Sequence, residues 1–228
     1  MELINSILEL LFGSDPELRQ IIAVTLRMSL FSTLFSSLIG IPAGVLLGAN
    51  DFRGKAFFSR LVNTLLGLPP VVAGLIVFLL LSRSGPLGSF RLLYTVEAMV
   101  VAQVLLITPF IIAMTSNLVG VNANSINETL TGVGIRGTKR LKYFLLDFRV
   151  PFISIILAGF GRSIAEVGAV QMVGGNVQFK TRVMTTAIMM QTNMGRFDFA
   201  IALGLILLLI SFLVNSVVNR IQKVAADD

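Results

Sequence analysis

Residues 96–120 read VEAMVVAQVLLITPFIIAMTSNLVG, a run whose only charge, Glu97, lies at its start. A bilayer core about 30 Å thick is crossed by about 20 predominantly apolar residues in a helix, whereas a barrel strand needs only about 10. Backbone amides in hydrocarbon must be satisfied within the segment, so a run this long is expected to be a transmembrane helix. Outward from it, four further windows read the same way: Thr25 to Ala49, Phe58 to Leu81, Phe152 to Val173 and Phe197 to Val218. The expected fold is therefore an all-α integral membrane protein with five transmembrane helices in one transmembrane domain, residues 1–228. Ahead of the first span, Leu3, Ile4, Ile7, Leu8 and Leu11 form an amphipathic stripe suited to an interfacial helix. Met1 to Phe12 lacks the cationic start and small-residue cleavage site of a signal peptide.

Composition agrees. The chain is 55% hydrophobic and 13% charged, with a mean hydropathy of +0.88, against about 25% charged residues in soluble domains. It has no Cys and no His, which excludes disulfides, thiolate or imidazole metal sites and Ser-His or Cys-His catalysis. An embedded enzyme would have to rely on carboxylates, and these are scarce in the spans. The net charge of +6 fits cytoplasmic loops of a membrane protein, and no nucleic-acid partner is expected.

The connectors set the orientation. Arg53, Lys55, Arg60, Arg136, Lys139, Arg140, Lys142, Arg149, Arg220 and Lys223 fall on one side, and Arg19, Arg27, Arg83, Arg91, Lys180, Arg182 and Arg196 on the other. The richer side is cytoplasmic by the positive-inside rule, which puts the N-terminus outside and the C-terminus inside. Within the spans, Gly40, Gly44 and Gly48 recur every four residues, as do Gly161, Ala165 and Ala169. Such ridges allow close helix packing, either within one subunit or at a dimer seam. Pro42, Pro69, Pro70 and Pro109 lie inside spans, where each removes a backbone donor. Kinked helices serve a pathway as readily as packing.

The segment 121–151 between the third and fourth spans differs from the rest in being polar and basic. Gly132, Gly134 and Gly137 spell G-x-G-x-x-G, but no strand precedes them and no βαβ unit surrounds them, so the dinucleotide reading fails. The P-loop reading fails too, because Thr138 precedes Lys139 where Lys must come first. The chain is expected to bind no nucleotide itself.

Two stretches carry a resemblance. Glu-Thr-Leu-Thr-Gly-Val-Gly, Glu128 to Gly134, resembles the Glu-Ala-Ala-x-x-x-Gly coupling segment of ABC importer permeases, with Thr129 and Leu130 in place of the alanines and Val150-Pro151 closing the segment later than usual. Arg162-Ser-Ile-Ala-Glu166-Val-Gly168-Ala169, followed by Gly174-Gly175-Asn176, resembles the permeases of the sulfate, molybdate and tungstate group, and Thr181 to Ile188 is most similar to the tungstate branch. The resemblance implies a molybdate-type permease fold working as a homodimer in the cell inner membrane. It further implies a cytoplasmic ABC ATPase dimer that binds ATP and Mg, an extracytoplasmic tungstate-binding protein, and tungstate or a related oxyanion as cargo. No cofactor or metal belongs to this chain under that reading, and its surroundings are membrane lipids.

The resemblance points to Glu128, Gly134, Arg136 and Arg140 as the coupling contacts. Arg162 and Glu166, one turn apart near the middle of the fourth span, are expected to form an intramembrane ion pair or to line the pathway. Conduction needs binding weak enough to release, so neutral groups such as Thr108, Asn117 and Asn176 are candidates for the pathway or gate, with Gln103 a further lining candidate. A self-contained channel or proton-coupled carrier is the alternative from another class. It would typically show an internal repeat or several intramembrane ionisable groups.

Overall fold

The computed structural model describes residues 15–135 and 139–227, apart from the side chains of residue 124 and residues 223–227. The amphipathic stripe before residue 12 lies outside these. Every regular element among the described residues is helical. The chain forms α1 (Pro16–Ala49), α2 (Lys55–Leu66), α3 (Pro70–Leu81), a single 3-10 turn (Gly88–Phe90), α4 (Val96–Gly132), α5 (Lys139–Asp147), α6 (Arg149–Ile164), α7 (Gly168–Gly174), α8 (Met184–Asn193) and α9 (Phe197–Asp227).

Three of these contain stretches long and apolar enough to cross a membrane: Pro16–Ala49, Val96–Ala123 and Phe197–Gln222. α1 begins well before the apolar window at Thr25 because its start is capped. Asp15 Oδ1 accepts the Leu18 N–H at 2.9 Å, Pro16 takes the first helical position, and Glu17 sits in the first turn. Pro42 and Pro109 lie inside α1 and α4 without ending them.

The second expected span is two 12-residue helices, α2 and α3, bent by 99°. Pro69 caps α3 in an extended conformation and Pro70 starts it. Neither can donate back to α2, and the residue before a proline is driven out of the helical region. Each helix is about 18 Å long, short of the hydrocarbon thickness. The fourth expected span also breaks: α6 stops at Ile164 and α7 starts at Gly168. The cause is Glu166, whose Oε1 accepts the Val167 and Ala169 N–H groups at 3.0 and 3.2 Å, satisfying donors that would otherwise continue the helix.

The chain divides into two compact units. The first comprises Met1–Ser32, Pro69–Gln103 and Phe160–Val214. Its cores gather Leu18, Ile21, Met184, Ala187 and Leu203, and Met28, Met99, Val170 and Val183. α3 packs on α7 so closely that a Cβ at Gly74 would lie 2.8 Å from the Ala169 Cα. A buried polar knot joins three helices of this unit. Ser32 Oγ lies 2.9 Å from both Gln103 Oε1 and Ser163 Oγ, Gln103 Nε2 donates to the Ser163 carbonyl at 2.9 Å, and Ser163 Oγ donates to Gln103 Oε1. The Ser163 carbonyl at the end of α6 thus accepts from Gln103 as well as from the Glu166 N–H at 3.3 Å.

The second unit comprises Thr33–Leu68, Val104–Gly159 and Asn215–Asp228. Here the Gly40, Gly44 and Gly48 ridge of α1 meets α4 face to face. Added Cβ atoms would stand 2.8 Å from Ile111 Cγ2, 2.5 Å from Thr115 Cβ and 2.6 Å from the Ser116 carbonyl oxygen. This ridge serves packing within one chain. The Gly161, Ala165 and Ala169 series does not form a ridge, because Ala165 falls in the break and a Cβ at Gly161 would meet nothing within 4 Å. The core of this unit also holds an aromatic row: Phe144, Phe148 and Phe152, four residues apart and all buried, run from α5 through the bend into α6, with ring centroids 6.2 and 6.1 Å apart. Leu30, Leu34 and Leu38 on α1 and Leu208 and Phe212 on α9 stay exposed. So much outward-facing apolar surface on long helices is what a lipid environment accommodates.

Candidate coupling turn and pathway residues

The segment expected to be a loop is mostly helix. α4 continues from its apolar part to Gly132, and α5 begins at Lys139. Between them the chain makes a Schellman turn: the Gly134 N–H donates to the Thr131 carbonyl at 3.0 Å and the Ile135 N–H to the Leu130 carbonyl at 2.8 Å. Gly134 holds φ +78°, a left-handed conformation that costs other residues about 1–2 kcal/mol. Ile135 then packs against the core containing Leu130, the apolar contact that accompanies this motif. The glycine that matched the coupling segment is thus required by the turn itself.

Glu128 is exposed on the last turns of α4, beside a shallow hollow lined by Asn127, Thr131 and Gly132. Arg140 is turned back onto the helix end. Its Nε donates to the Ile135 carbonyl at 3.0 Å, Nη2 to Thr131 Oγ1 at 2.8 Å, and Nη1 lies 3.5 Å from Asn127 Oδ1. A cation at a helix C-terminus also complements the helix dipole. Arg136 lies outside the described residues.

The pathway candidates divide by unit. In the second unit, Asn117 is exposed on α4. Thr108 has an enclosed hydroxyl, and its carbonyl oxygen is 3.4 Å from a Cβ built on Gly40. In the first unit, Arg162 is exposed on the last turn of α6, and Glu166 lies past the helix end capping α7. The break therefore sets each charge at the helix terminus whose dipole favours it, not one turn apart on a continuous helix. Asn176 holds φ +52°. Its Oδ1 accepts from Thr186 Oγ1 at 2.9 Å and its Nδ2 sits 3.3 Å from Met190 Sδ, so both ends of its amide stabilise the turn after α7.

The sequence places Arg182 only among the basic residues of the less basic side and gives no sign of its partner. Arg182 is 8% exposed, and its Nη1 forms an ion pair with Glu17 at the start of α1. Replacing Arg182 by Ala strands a largely enclosed carboxylate. The expected cost is toward the low end of the about 3–5 kcal/mol typical of breaking such a pair, because Glu17 keeps some water contact. A thermal unfolding midpoint that drops clearly for Arg182→Ala and is restored in the Arg182→Ala, Glu17→Gln double variant checks this.

Against known families, residues 40–226 match the model of the binding-protein-dependent transport system inner membrane component. The chain belongs to this family. It is a multi-pass membrane protein, the permease component of an ABC importer and not an enzyme, with ATP hydrolysis residing in a partner subunit. Among its relatives, the tungstate uptake system permease protein TupB of Peptoclostridium acidaminophilum is 38% identical over 216 residues, covering 95% of each chain. TupB of Campylobacter jejuni is 38% identical over 215 residues, 94% of this chain and 90% of that protein. In structure, the permease is similar to a chain of the inward-facing methionine ABC transporter MetNI, with a TM-score of 0.63 at 18% identity over 91% of this chain and 99% of that one. That likeness establishes the ABC permease fold.

Proposed function

We propose that this permease imports tungstate. Two copies form the pathway, a cytoplasmic ATPase dimer docks at the turn that closes α4, and an extracytoplasmic binding protein delivers the oxyanion. The observation that carries the reading is the coupling turn. An exposed Glu128 and a Schellman glycine at Gly134 present a helix end held firmly from behind, while the similarity to two tungstate permeases supplies the cargo. ATP and Mg bind to the partner, the N-terminus lies outside and the C-terminus in the cytoplasm.

Non-helical backbone at membrane depth is tolerated where it is buried in protein or lines a water-filled cavity. The breaks after Leu66 and Ile164 fit that role. Arg162 at the second break attracts the dianion, and Glu166 keeps the attraction short of a trap. Thr108 and Asn117 offer a hydroxyl and an amide to the passing anion, and Asn176 shapes the turn beside α8.

Tungstate and molybdate share size, shape and charge, so selectivity between them is expected to lie in the binding protein. The test is uptake of labelled tungstate into proteoliposomes holding permease and ATPase, with ATP inside and binding protein outside. ATP-driven accumulation that excess sulfate does not suppress supports the reading. Accumulation of sulfate in preference to tungstate by the same complex would overturn the cargo assignment.

A further inference from the structure

Beyond docking itself, the second unit shows how a push on the coupling turn would reach α1. α1 ends at Ala49, whose carbonyl is one of the helix's orphan acceptors. Asn127 Nδ2, on α4, donates to that carbonyl at 2.7 Å. The other end of the same amide, Oδ1, faces Arg140 Nη1 at 3.5 Å, and Arg140 holds Thr131 and the Ile135 carbonyl just past Gly134. Thr131 Oγ1 in turn donates to the Asn127 carbonyl at 2.6 Å. A continuous polar chain therefore runs from the coupling turn to the end of α1.

The surroundings give this chain its significance. Along Gly40, Gly44 and Gly48, α1 packs against Ile111, Thr115 and the Ser116 backbone of α4 with no room for a side chain. Beyond that contact a polar cavity of about 490 Å³ opens, with Gly48, Gly120, Asp51 and Lys55 in its wall alongside Asn127 and Arg140. Lys55 and Asp51 are paired with each other at 2.9 Å and so do not replace the tie. Beyond the glycine contact, the Asn127 amide ties the end of α1 to α4. Asparagine suits the position because it donates to one partner and accepts from the other.

We propose that Asn127 and Arg140 form a latch that transmits displacement of the coupling turn to the end of α1, making them positioning residues for coupling transport to hydrolysis. The inference rests on the importer reading above. It is tested in the full complex, permease with ATPase and binding protein in proteoliposomes, by measuring tungstate imported per ATP hydrolysed. Asn127→Asp keeps the shape and the contact to Arg140 but removes the donor to Ala49; Arg140→Gln removes the other end. The expected result is that Asn127→Asp retains the ATPase and hydrolyses ATP while import per ATP falls about 5-fold or more, the lower bound of typical coupling energies, and that Arg140→Gln lowers the same ratio in whatever complex still assembles. The double variant is expected to be no worse than either single one. Arg140→Lys, which keeps the charge but not the planar fork, is expected to restore coupling only in part.

A purely structural role would lower yield or thermal stability and leave the ratio untouched. An unchanged ratio in assembled complexes overturns the latch, as does loss of ATPase binding in Asn127→Asp, which would make this segment a docking surface only. Thr131→Val, which removes an Arg140 partner on the exposed face, is read by the same ratio if Asn127→Asp fails to accumulate. A wild-type complex with no ATP-driven uptake would instead overturn the importer reading itself.

Discussion

Replacing Gly44 by Leu is expected to abolish accumulation of folded permease. A Cβ alone at this position would sit 2.5 Å from Thr115 Cβ and 2.9 Å from the Ile112 carbonyl oxygen, whereas carbon atoms pack at about 3.5–4.0 Å. One of the offending atoms is backbone, so no rotamer change relieves the contact and α1 must move off α4. Overpacking a dense interior typically costs about 1–3 kcal/mol, occasionally more, and the isobutyl group adds further volume to a Cβ that already clashes. Gly161→Ala is the matched control, because a Cβ there meets no neighbour within 4 Å. Size-exclusion profiles and unfolding midpoints in detergent decide the matter. A monodisperse Gly44→Leu permease of wild-type stability would refute the close helix contact.

The second large effect is expected at Glu128. Reversing its charge in Glu128→Arg is expected to weaken ATPase association by about 2 kcal/mol or more, roughly 30-fold, as is usual when one member of a contacting charge pair is removed or inverted. Glu128 lies near the C-terminal end of α4, where the helix dipole gives a carboxylate no support. Helix stability therefore gives no reason for a glutamate here, and arginine would favour the helix locally. A loss of co-purified ATPase together with an unchanged unfolding midpoint identifies docking as the cause. Stoichiometric ATPase with the reversed charge would remove Glu128 from the interface.

The helical membrane fold was legible because apolar windows of the required length have few alternative explanations. The glycine ridge at residues 40–48 was legible as a close contact too, although only three-dimensional proximity to Ile111 and Thr115 shows that it lies within one chain. The breaks were harder to read. Pro69 and Pro70 carry a local signal that averaging over an apolar window conceals, and the break after Ile164 depends on Glu166 folding back onto two amides, which spacing alone does not reveal. In the coupling segment, the charges between Lys139 and Lys142 drew attention away from Phe144, Phe148 and Phe152, whose four-residue period marks a buried helical face. Arg140 is the clearest case. Its charge reads as surface, yet its position relative to a helix that continues to Gly132 makes it a cap. Contacts such as Ser32 with Ser163 and Glu17 with Arg182 join residues more than a hundred positions apart and leave no periodic trace.

The central claim is that this chain receives the work of ATP hydrolysis through the turn at Glu128 and Gly134 and does not move anions by itself. Its most direct test is tungstate flux through proteoliposomes containing the permease alone, compared with the same vesicles after addition of ATPase, enclosed ATP and external binding protein. The account predicts tight vesicles in the first case and uptake requiring both ATP and binding protein in the second. Dissipation of a tungstate gradient by the permease alone, without nucleotide or partner, would contradict it.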